Sequence, residues 1–186
     1  MRLCLLLMIF FLQGCADVAV SGAQAVYNRH SIQKNISDQY TTLQAYQALN
    51  SEGNTFKDTN IAISTYNNEL LLAGQVPEAW QRSRAEEVIK RVTDVDEVHN
   101  LLAIASPSSA LTRMSDTWIT TKIKAKLIAS EDADASQVKV ITENGTVYLM
   151  GIVRPSEAQA VIDLASNTDG VRSVVKVFKY IRISRR

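Results

Sequence analysis

Residues Val138 to Val153 alternate apolar and polar side chains around Asn144-Gly145, a pattern that predicts a β-hairpin closed by a two-residue turn. Ile61 to Val76 carries the same pattern 77 positions earlier, with Thr65, Asn67, Leu72, Gly74 and Val76 recurring as Thr142, Asn144, Leu149, Gly151 and Val153. The repetition extends beyond the hairpins. Ala85, Val88, Ile89 and Val92 in the first copy, and Val161, Leu164, Ala165 and Thr168 in the second, have the spacing of a helix with one buried face. Closing strands at residues 95–104 and 171–181 follow. Candidate helices at 38–50 and 116–129 come before, with Ser37-Asp38 and Ser115-Asp116 as their N-caps. The order helix, strand, strand, helix, strand occurs twice. The predicted class is α+β: in each copy, a three-stranded mixed sheet with two helices packed on one face. Each copy is small enough that its own core is marginal, so contact between the copies would help.

These patterns divide the chain at residues 38–104 and 115–181. Ser106-Pro107-Ser108-Ser109 breaks the pattern between them and marks residues 105–114 as a linker. Residues 15–37 are small and polar with little periodicity, which suggests a tether. Residues 182–186 form a basic tail.

The amino terminus changes where the protein is expected to work. Arg2 precedes an apolar run, Leu3 to Leu12, too short to span a bilayer and characteristic of an export signal. Leu12-Gln13-Gly14-Cys15 then resembles the lipobox of bacterial lipoproteins. That resemblance implies removal of residues 1–14, diacylglycerol on the Cys15 thiol and a further acyl chain on its amine. Ala16, rather than aspartate, follows the cysteine, which in Gram-negative lipoproteins implies sorting to the outer membrane, facing the periplasm. Cys4 is lost with the signal and Cys15 is spent on lipid, so no disulfide is expected.

Candidate chemistry concentrates on the helix at 116–129. At 100° per residue, Ile119, Ile123 and Leu127 fall in one stripe that must face the sheet, and Trp118 points nearly the opposite way. Thr121 and Ala125 lie beside Trp118, Ile128 lies at the edge, and Lys122 and Lys126 run along the flank. An indole on a small-residue patch with flanking ammonium groups suits a bilayer interface. The same indole would also suit packing against the first copy or a loop. Charge separates the copies: residues 38–104 carry five basic and ten acidic side chains, residues 115–186 eleven and eight. Only the second copy is expected to approach an anionic surface. In the first, Tyr40 takes the Trp118 position among Gln44 and Gln47, which fits a protein contact better.

Catalytic constellations are thin. His30 and His99 have no patterned partners for a triad or a metal. No phosphate-binding glycine motif is present, and export with near-neutral charge disfavours nucleic acid. No enzyme activity, cofactor, metal or small-molecule substrate is expected.

The doubled unit, with Gly74 and Gly151 after the second strand, Gly170-Val171 before the third and Asp116-Thr117-Trp118-Ile119-Thr120-Thr121-Lys122 opening the second copy, resembles the BON domain of bacterial osmotic-stress and envelope proteins. Two such domains behind a lipobox are similar to outer-membrane lipoproteins linked to division sites and envelope stress. The resemblance implies a non-catalytic protein whose second domain binds anionic phospholipid. An adaptor recruiting envelope or cell-wall proteins is the alternative.

Overall fold

Asn67 and Asn68 in the first copy, and Asn144 and Gly145 in the second, all take positive φ, between +48° and +73°. Such turns match the twist of paired strands, and asparagine and glycine tolerate the left-handed backbone they require. They join β1 (Asn60–Tyr66) to β2 (Glu69–Val76), and β4 (Val138–Glu143) to β5 (Thr146–Val153), as antiparallel pairs. β3 (Glu97–Ile104) lies parallel to β2, and β6 (Ser173–Tyr180) lies parallel to β5. The structure, a computed structural model, describes residues 22–181, with side chains from residue 34 onward. Among these, the strands form two three-stranded mixed sheets, ordered β1-β2-β3 and β4-β5-β6. Cys15, the signal segment and the basic tail lie outside the described residues, as does the side chain of His30.

Four helices complete the described copies: α1 (Gly22–Ser51), α2 (Ala79–Val92), α3 (Ala110–Ile128) and α4 (Pro155–Ser166). Ala45, Leu49, Ala85 and Ile89 from α1 and α2 meet Leu70, Leu72 and Leu102 on the first sheet. Ile119, Ile123, Leu127, Val161 and Ala165 from α3 and α4 meet Val140, Val147 and Leu149 on the second. This is the predicted α-β-β-α-β order with both helices on one sheet face. Val92, predicted to be buried, is exposed at the end of α2.

The helix starts differ from expectation, for a physical reason. α3 opens at Ser109, whose hydroxyl accepts from the Thr112 amide at 3.1 Å, six residues before the predicted start. Asp116 is therefore inside the helix and caps something else: its carboxylate accepts from the amides of Asn144 and Gly145, both at 2.8 Å. Asp38 does the same for Asn67 and Asn68, at 2.7 and 3.1 Å. These aspartates tie each first helix to its hairpin turn rather than starting the helix. α1 likewise begins at Gly22, so residues 22–37, read from sequence as an irregular tether, are helical.

The sheet faces turned away from the helices cover each other. Leu71 and Ala73 of β2 pack with Tyr148 and Met150 of β5, flanked by Tyr66, Leu101, Ile141, Val175 and Val177. Every residue of β2 is buried as a result. The unbroken run Leu70-Leu71-Leu72-Ala73 in place of strict alternation is the mark of a strand covered on both sides. Polar groups rim the seam. Asn60 Nδ2 donates to Glu143 Oε2 at 2.7 Å, Lys139 Nζ to the Thr65 carbonyl at 2.9 Å, and Lys179 Nζ pairs with Glu69 Oε1 at 2.6 Å. The described residues from 35 onward form one compact body.

The recurring glycines have a steric cause. A Cβ on Gly74 would lie 2.0 Å from the Asn60 carbonyl oxygen, and one on Gly151 would lie 2.5 Å from that of Gln137. Only glycine lets the hairpin partner come so close.

Candidate membrane-binding site

The outer face of α3 is built by the same periodicity that builds its inner one. Ile119, Ile123 and Leu127 are buried against the second sheet. Trp118, which points the other way, is 64% exposed. Because α3 starts early, its outer stripe is longer than the sequence suggested: Leu111 is 78% exposed, Met114 69% and Ile128 77%. Leu111 and Met114 were missed because they lie in the predicted linker; the Ser109 cap followed by Leu111, Met114 and Trp118 at helical spacing was the available signal. Thr121 and Ala125 are exposed between the bulky residues, as expected.

The polar groups on this face are largely satisfied within the protein. The hydroxyls of Thr117 and Thr121 each donate to the carbonyl four residues back, Arg113 and Thr117 respectively, both at 2.9 Å. Lys122 Nζ donates to the Asp169 carbonyl at 2.8 Å. Lys126 Nζ donates to Thr168 Oγ1 at 2.9 Å and to the Asn167 carbonyl at 3.3 Å. These lysines cap the carbonyl-rich end of α4, where cations are favoured. Placed along the flank by the sequence, they are held toward the loop after α4.

Energetics follow from this inventory. Burying an apolar side chain of this size is worth ~1.5–3 kcal/mol. A lysine near an anionic bilayer surface contributes about 1 kcal/mol, less with salt. Four exposed apolar side chains on one stripe therefore outweigh two tied ammonium groups.

The corresponding face of α1 carries Ile36, Tyr40 and Leu43, all exposed, with Gln44 and Gln47 where the second copy has Lys122 and Ala125. It offers apolar area without the flanking cations.

His99 departs from expectation, because it does have partners. Its Nε2 lies 3.2 Å from Glu69 Oε2 and its Nδ1 lies 3.6 Å from Glu97 Oε1. Ligand atoms of these three residues lie within 4.8 Å of one another. Lys179 already neutralises Glu69, so the group reads as an ion-pair cluster at the seam. Two seam groups are shifted by desolvation. Burial pushes the Glu143 carboxyl above its usual range, against the hydrogen bond from Asn60, and burial pushes the Lys139 ammonium down.

A doubled α-β-β-α-β unit with capped Asn turns defines a class, and the chain belongs to it: it is a member of the BON domain family, whose pattern matches residues 37–106 and 115–182. Among its relatives, the outer membrane lipoprotein DolP of Haemophilus influenzae is 34% identical over 175 residues, covering 92% of this chain and 91% of that protein. The 21 kDa hemolysin of Actinobacillus pleuropneumoniae is 34% identical, covering 72% of this chain and 69% of its own. The osmotically-inducible protein Y of Escherichia coli is 34% identical, covering 75% and 70%. Among the described residues, no helix is long and apolar enough to cross a membrane.

Proposed function

We propose that this protein is an outer-membrane lipoprotein, anchored through Cys15 and facing the periplasm, that binds anionic phospholipid through α3 of its second BON domain and supports outer-membrane integrity. The observation that carries the reading is the outward stripe around Trp118, apolar and exposed on a helix whose opposite face is core. Thr121, Ala125 and Ile128 extend the contact, and Lys122 and Lys126 bias it toward anionic headgroups. The lipobox and the outer-membrane lipoprotein among its relatives support the location.

Flotation of the unlipidated chain from residue 16 onward with phosphatidylglycerol-containing vesicles tests the binding, and failure to float would remove it. Cys15→Ser is expected to leave a precursor without fatty acid; fractionation placing the mature protein in the inner membrane would overturn the location.

A second reading rests on the first copy. The cation-free apolar face of Ile36, Tyr40 and Leu43 suits a protein partner, which would make the chain a lipid-tethered adaptor. Tyr40→Glu would then lose that partner in pull-downs without changing vesicle binding.

A further inference from the structure

We infer that the α3 face responds chiefly to how loosely the lipids are packed, that is, to access to their acyl chains, and only secondarily to headgroup charge. The inference rests on the lipid reading above and specifies what that same site recognises.

Three observations carry it. First, Leu111, Met114, Trp118 and Ile128 lie within an arc of about 100° on the outer side of the helix and span about 25 Å along its axis at 1.5 Å per residue. A helix presenting such a stripe lies in the plane of the interface, with its apolar side chains wedged between lipids. Second, the positions between the wedges are small, Thr121 and Ala125, with Thr117 and Ala129 small and exposed beside them. The two threonine hydroxyls are bonded within the helix, so lowering this face into the acyl boundary leaves those donors paired. Third, the ammonium groups of Lys122 and Lys126 are drawn to carbonyls of the loop after α4, which weakens their claim on lipid phosphates. Sparse bulky side chains separated by small ones fit into gaps between headgroups, and such gaps are supplied by unsaturated chains and high curvature.

The test uses the unlipidated chain from residue 16 onward, which keeps every described contact. Its affinity is measured for vesicles of one phosphatidylglycerol fraction in two packings: small dioleoyl vesicles and large dimyristoyl vesicles in the fluid phase. Emission of Trp118 in a Trp80→Phe background reports insertion. The expected result is at least severalfold tighter binding to the loosely packed vesicles, with a blue shift that persists at high salt. Leu111→Ser with Met114→Ser should erase the preference; near-ultraviolet circular dichroism should stay unchanged, since both side chains are exposed. Equal binding to both packings, lost steeply with salt, would overturn the inference and leave the lipid reading standing. No binding to either vesicle would overturn both.

Discussion

The two copies agree down to single hydrogen bonds in their interiors and disagree on their outer helices. Asp38 and Asp116 cap equivalent turns, and Thr42 reaches Thr65 at 2.9 Å as Thr120 reaches Thr142 at 2.7 Å. On the outside, the first copy has Tyr40 with glutamines where the second has Trp118 with lysines. Helix-to-turn geometry admits few solutions, because a buried carboxylate must find amides. A solvent face has no such constraint, so function can differ between copies that fold alike.

The most severe break in that comparison should come from the shared interior. Ile123→Glu puts an unpaired charge where the side chain is fully buried, and should cost more than about 4 kcal/mol; a cooperative thermal transition in the second copy should be lost. Trp118→Glu separates the copies at the surface. It should weaken binding to anionic vesicles by about tenfold or more, about 1.4 kcal/mol, with an unchanged melting curve, whereas Tyr40→Glu should leave binding as it is. Wild-type affinity in Trp118→Glu would assign the α3 face to something other than lipid.

Smaller effects sharpen the contrast. Lys122→Gln with Lys126→Gln removes from the second helix two flanking cations that the first lacks at the equivalent positions, Gln44 and Ala48. Two free lysines near an anionic surface would contribute about 1 kcal/mol each, but both of these are already bonded within the protein, so vesicle affinity should fall by less than about tenfold; titration with salt should narrow the gap. The smallest change lies at the seam. Glu143 has its carboxyl pKa raised by burial, so its ionised form is disfavoured in the folded state. Stability from this group is highest in acid and declines as pH rises through the carboxylate range. Glu143→Gln, which can still accept from Asn60, should raise the melting temperature slightly at neutral pH, and the gain should vanish in acid.

Much of this was legible in the residues. Asn144-Gly145 with flanking alternation specifies a hairpin from either direction, and Ile119, Ile123 and Leu127 allow one inward face. Helix starts were harder to read, because aspartate is a good cap both for a helix and for a turn, and only the fold shows that Asp38 and Asp116 serve the turn. That single ambiguity hid Leu111 and Met114 from the site. The seam was written in Leu70-Leu71-Leu72, but a run of apolar residues does not name what covers its second face. His99 was misread because Glu69 becomes its neighbour only through parallel pairing of β2 with β3, while Glu97, two residues earlier on the same strand face, was the part the sequence did offer.

The seam also bears on ancestry. Leu71 and Ala73 meet Tyr148 and Met150, which are their own counterparts 77 positions later. A patch that contacts its own equivalent is how two identical subunits associate about a two-fold axis. A lone unit of this kind would expose that greasy face and would have to pair with another copy of itself. Once both are joined in one chain, partner supply no longer depends on concentration. The two sides are then free to diverge, as Ala62 and Tyr66 have from their counterparts Lys139 and Glu143, and the two outer helices are free to do the same.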